Sequence, residues 1–172
     1  MKKTKRLTIS ALFSAFSTAL LALASLTEIA DIAVSMLASA VLMLAIIELS
    51  DKWGFMIYAV TSILSLMLLP SKFIAAVYLV FTGLYPLIKR HFDRCPKILA
   101  WLLKAVYFNL SLTSALLLAK FVFAIEVYGG VMLILYYATA NLCFVLFDIL
   151  INRLTLLYLY RYRSRFQKFF KL

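Results

Sequence analysis

Acidic side chains are scarce in this chain, with seven Asp and Glu against 18 Lys and Arg, and His91 is the only histidine. Membrane enzymes that handle lipid phosphates gather several Asp or His residues near one surface, and no such group forms here. The two cysteines, Cys95 and Cys143, lie at no spacing that suits a disulfide or a metal site. No H-E-x-x-H, Gly-rich phosphate loop or G-x-S-x-G occurs. The expectation is a protein that is not an enzyme and carries no metal or cofactor. The paired carboxylates Glu28/Asp31 and Glu48/Asp51 read as solvated turn charges.

What the chain has in abundance is apolar sequence. Of its 172 residues 66% are hydrophobic and 15% charged, with a mean hydropathy of +1.02. Soluble domains are about half apolar, so the pattern predicts an all-α, polytopic membrane protein with no room for a sizeable water-soluble domain. Six apolar runs are read as transmembrane helices: 7–26, 32–49, 53–69, 73–88, 98–119 and 129–153. Pro70 and Gly129-Gly130 punctuate the connections, and Gly83 with Pro86 interrupts the fourth run, where a freed carbonyl would kink the helix or face a cavity. The Met1–Arg6 start, the apolar run after it and Ala22-Leu23-Ala24 imitate a secretory signal. The length of the run and the spans that follow favour an uncleaved first helix.

The net charge of +11 acts here through its placement. With the N-terminus inside and six spans, one side holds Lys2, Lys3, Lys5, Arg6, Lys52, Lys89, Arg90, Arg94, Lys97 and the C-terminal cations. The other holds Lys72 and Lys120 with Glu28, Asp31 and Glu126. That asymmetry predicts a multi-pass cell-membrane protein with both termini cytoplasmic. Residues 89–97 read as the one strongly polar loop. Residues 1–153 form the transmembrane domain, and 154–172 form a basic aromatic tail that lies on anionic lipid, at roughly 1 kcal/mol per cation. Nucleic acid is not an expected partner.

Polar residues inside the apolar runs are the candidates for a site. Asp148 lies deep in the last run, where a carboxylate costs roughly 2.5–3.5 kcal/mol without a partner. If the last two runs are antiparallel helices, Lys104 falls level with Asp148. Asn109, about 7.5 Å up one helix, then falls near Asn141, about 10.5 Å up the other. Two polar rungs follow: the intramembrane pair Lys104–Asp148, and Asn109–Asn141. A second reading has Lys104 reaching the headgroups and Asp148 pairing with Asn152 or Arg153. In the first run Ala11 and Ala15 form a small-xxx-small strip, with Ala19 in line and Ser10, Ser14 and Ser17 nearby, which lets another helix approach closely.

In its length, its six spans, its basic start and the A-x-x-x-A of Ala11-Leu12-Phe13-Ser14-Ala15, the chain resembles the substrate-binding S-component of energy-coupling factor (ECF) vitamin transporters. The resemblance implies that Ala11 and Ala15 dock onto a membrane coupling subunit, which carries two ATPases. It also implies a small-solute pocket on the outer side, near Glu28, Asp31, Asn109, Asn141, Lys120 and Glu126. The acidic rim there suits a cationic or neutral polar solute. The other expectation is a structural or scaffolding protein of the cell envelope, in which the polar rungs only specify helix packing.

Overall fold

The computed structural model describes residues 3–26, 31–121 and 130–163, with no strand among them. Six helical segments follow one another: α1 (Lys3–Leu26), α2 (Asp31–Leu49), α3 (Asp51–Leu68), α4 (Lys72–Phe92), α5 (Lys97–Phe121) and α6 (Val131–Tyr162). Four helices are long and apolar enough to cross a membrane, Lys3–Leu26, Lys72–Phe92, Lys97–Leu118 and Val131–Tyr162. The apolar stretch of α2 is shorter, and α3 opens on the charged Asp51 and Lys52. Glu28, Glu126 and tail residues 164–172 lie outside the described residues, as does the side chain of Asp31.

The first three helices pack through small residues. In α1 the buried positions Ser10, Ser14, Ser17, Leu21 and Ala24 recur every three or four residues and form one stripe. Gly54, Tyr58, Thr61 and Ser65 do the same in α3. Without bulky side chains the backbones come close, so packing between them is tight. The Thr18 hydroxyl donates to the Ser14 carbonyl (2.8 Å) and the Ser10 hydroxyl to Arg6 (2.8 Å), so both are satisfied inside their own helix.

α2 is the central element. Its Ala38, Leu42, Ala45, Ile46 and Leu49 join a core with α1, α3 and the start of α4, while Met43 on another face joins a second core with α4, α5 and α6. The second core is aromatic. Phe108 stacks on Phe144 with centroids 4.5 Å apart, and Phe81 meets the Phe108 ring edge-on at 5.1 Å. Such ring pairs contribute about 0.5–1.5 kcal/mol beyond the area they bury.

α4 is interrupted where Gly83 and Pro86 fall. An α-helical start, Lys72–Val77, passes into a π turn, Tyr78–Thr82, and helix resumes at Tyr85–Phe92. The Gly83 amide donates to the Tyr78 carbonyl, five residues back, at 2.8 Å. The carbonyls this frees face neither lipid nor a cavity: Leu79 accepts from the Tyr58 hydroxyl (2.8 Å) and Val80 from Tyr107 (3.1 Å). Two neighbouring helices thus supply the donors that an interrupted helix needs away from water.

A single residue, Ser50, joins α2 to α3 with φ 135° and ψ 169°. That region is tolerated essentially by glycine alone, at a cost of order 1–3 kcal/mol for other residues. Ser50→Gly is therefore expected to stabilise the protein by about 1 kcal/mol. Ser50→Ala, which keeps the Cβ, should not; unfolding in mixed detergent micelles compares the two.

Candidate functional site

The largest concentration of buried charge lies where α4, α5 and α6 meet. Tyr85 and Lys89, one turn apart on α4, share a face that looks at Asp148 on α6. Lys89 Nζ stands 2.5 Å from Asp148 Oδ1, and the Tyr85 hydroxyl donates to the same oxygen. Lys104 Nζ, on α5, is 3.2 Å from Oδ2, which also receives the Asn152 amide at 3.3 Å. Beyond the two lysines is Asp93, 2.6 Å from Lys104 and 3.2 Å from Lys89. Asp148 and Lys89 are each about 1% exposed at the side chain, whereas Asp93 is 41% exposed.

Two lysines and two aspartates make this network neutral, which permits burial of charges that could not be buried singly. Each Asp148 oxygen accepts two hydrogen bonds, which fills its capacity. A carboxylate so occupied has no lone pair for a solute or a metal. The cluster therefore holds three helices in register.

Further up the same helix pair, Asn109 and Asn141 exchange reciprocal amide bonds, each 3.0 Å. Their second amide hydrogens go to Ala105 and Tyr137 carbonyls, both at 2.8 Å. A third rung joins Thr113 Oγ1 to the Tyr137 hydroxyl at 2.9 Å. The rungs ascend α5 as they descend α6, the order an antiparallel pair requires.

The remaining candidates are placed as follows. Ala11, Ala15 and Ala19 are exposed beside Leu12 and Phe16, whereas Ser10, Ser14 and Ser17 face inward. The serines expected to extend the alanine strip are thus a separate strip, consumed by packing inside the molecule. Lys120 is exposed, 5.7 Å from the Phe121 ring centroid. His91 is exposed, with Nδ1 3.0 Å from the Leu87 carbonyl, and Cys143 is exposed on α6.

The structure departs from the sequence expectation at Lys89 and at Glu48. Residues 89–92 belong to α4, and Lys89, expected in a solvated loop, is buried because Asp148 answers its charge. Glu48 is no solvated turn residue: it lies in α2 with its side chain 2% exposed, accepts from the Tyr158 hydroxyl at 3.1 Å and faces Arg163 at 3.4 Å. Asp51, its partner in that expectation, is 44% exposed as a solvated residue should be; it opens α3 and pairs with Arg90. Helix also runs past Arg153 to Leu157 and into a π turn, Tyr158–Tyr162. That wider turn lines up residues five apart, which brings Tyr158 and Arg163 to the same carboxylate.

Two surface grooves stand out. One of about 650 Å³ is lined by Asp51, Lys52, Phe55, Leu84, Ile88 and His91, among others. Another of about 370 Å³ runs between α1, α2 and α6 past Phe16, Val41 and Leu154. Neither is lined by Asn109, Asn141 or Lys120. Among the described residues no three His, Cys, Asp or Glu stand together as metal ligands. Comparison with protein-family models, curated proteins and solved structures finds no match.

Proposed function

We propose that the chain is a non-catalytic, six-span subunit of a larger membrane assembly, with both termini cytoplasmic, and that it works by docking α1 onto a membrane partner. The observation that carries this reading is the division of labour on α1. One small-residue strip, Ser10, Ser14 and Ser17, is used within the molecule, while a second, Ala11, Ala15 and Ala19, is exposed, with nothing among the described residues covering it. An alanine strip gains little from lipid, but it lets a partner helix approach closely. The orientation is supported by the pairing of Asp51 with Arg90 and of Glu48 with Arg163, which gathers the basic helix ends on one side. Of such assemblies, the S-component arrangement accounts best for length, span number and strip together: a small-solute-binding subunit energised by ATPases through a coupling subunit.

A scaffolding role is the second reading, favoured by the polar rungs. Asn109 and Asn141 satisfy each other and leave no amide directed at a solute. Co-purification separates the two readings. Recovery of ATPases and a coupling subunit with a retained small molecule supports the transporter subunit, and recovery of envelope proteins without one supports the scaffold. For the docking itself, Ala11→Leu with Ala15→Leu is expected to abolish recovery of the membrane partner while thermal unfolding stays within about 0.5 kcal/mol of the parent, as for exposed substitutions. Undiminished recovery would overturn the docking face.

A further inference from the structure

The larger groove lies between the start of α3 and the end of α4, and its polar and apolar walls are segregated. Of its lining residues, Asp51, Lys52 and His91 lie at the helix ends, which make its mouth, and Phe55, Met56, Leu84, Leu87 and Ile88 lie one to two turns further along, which makes its floor. From His91 to Leu84 the floor descends about 10.5 Å along α4. Charge at the mouth is unbalanced. The carboxylate of Asp51 is taken by Arg90, whereas Lys52 is exposed and has no partner among the described residues. Arg90 does not line the groove but reaches its edge through Asp51; it spends one guanidinium nitrogen there and stays 41% exposed, so it has further N–H donors to offer.

We propose that this groove is a binding site for an anionic phospholipid, with the headgroup phosphate on Lys52 and Arg90 and one acyl chain along the floor. The order of the site, cations at the helix ends and then two turns of apolar wall, is the order of a phospholipid from head to tail. Its volume of about 650 Å³ falls within the range of ligand sites, roughly 300–1,000 Å³. A zwitterionic lipid fits the floor equally well but brings its own cation to Lys52, so the site selects by headgroup charge. The site is separate from the docking strip and depends on that reading only for membrane insertion.

Trp53, next to Lys52, reports on the site once Trp101→Phe has removed the other tryptophan. The variant is reconstituted into phosphatidylcholine vesicles with a rising minor fraction of a dibromostearoyl chain on either phosphatidylglycerol or phosphatidylcholine. One cation at an anionic surface supports about a fivefold preference, so brominated phosphatidylglycerol is expected to quench Trp53 at about one-fifth the fraction. Lys52→Gln should erase that preference and Lys52→Arg should keep it. Equal quenching by both lipids in the parent, or a preference that survives Lys52→Gln, would overturn the site while leaving insertion intact. Quenching by neither lipid would overturn insertion and the site together.

Discussion

Asp148→Ala is expected to be among the most damaging single substitutions in the protein, costing about 3–5 kcal/mol, because it leaves buried cations without their shared counter-charge. The two lysines are not equivalent. Lys89 is 1% exposed and lies 2.5 Å from Asp148, whereas Lys104 has Asp93 at 2.6 Å as well as Asp148 at 3.2 Å. Lys104→Ala should therefore be milder than Asp148→Ala, since Lys89, Tyr85 and Asn152 still satisfy the carboxylate. The double variant Lys104→Ala with Asp148→Ala should cost less than the sum of the two, with the coupling read from unfolding in mixed micelles. Strict additivity would show that Lys104 and Asp148 do not interact. Asp148→Asn tests charge apart from shape: if it unfolds like the parent, the network does not depend on the negative charge.

Gly83→Ala carries the second large effect. A Cβ at Gly83 would stand 2.8 Å from the Tyr58 ring and 2.8 Å from the Tyr78 carbonyl. The first obstacle is a ring whose hydroxyl is committed to the Leu79 carbonyl, and the second is backbone already bonded to the Gly83 amide. Neither can withdraw cheaply. Overpacking costs about 1–3 kcal/mol, and a displaced Tyr58 hydroxyl strands a carbonyl for about 1–3 more. Thermal unfolding reads the loss, and Tyr58→Leu serves as the control. With the ring gone, Gly83→Ala should cost distinctly less than it does in the parent. Equal costs in both backgrounds would show that the ring does not limit this position.

Residue spacing alone makes part of this architecture legible. Long apolar runs and their punctuation give the helical segments, and helical rise puts Lys104 level with Asp148 and Asn109 near Asn141, because antiparallel helices convert sequence separation into depth. Lys89 was not legible in the same way. It begins the run Lys89-Arg90-His91 and looks like the edge of a solvated loop, and only the continuation of α4 to Phe92 turns it inward. Tyr85, four residues before Lys89 and across from Asp148, offered the one available signal, a helical face shared by an aromatic hydroxyl and a cation. Glu48 was obscured similarly: its partners Tyr158 and Arg163 are 110 and 115 positions away, and a π turn that no spacing rule foretells aligns them. The two strips of α1 are adjacent in sequence and differ by about 100° around the helix. Composition treats them as one; packing separates them.

The ion network also has an order in time. A ribosome delivers Lys89 first, then Asp93, then Lys104, and Asp148 only when most of the chain has been made. Until that last helix arrives, a nascent protein holds two ammonium groups with Asp93 alone to answer them. Asp148 is thus the last of the four to be made, and a chain stalled before it carries two of these lysines with one aspartate.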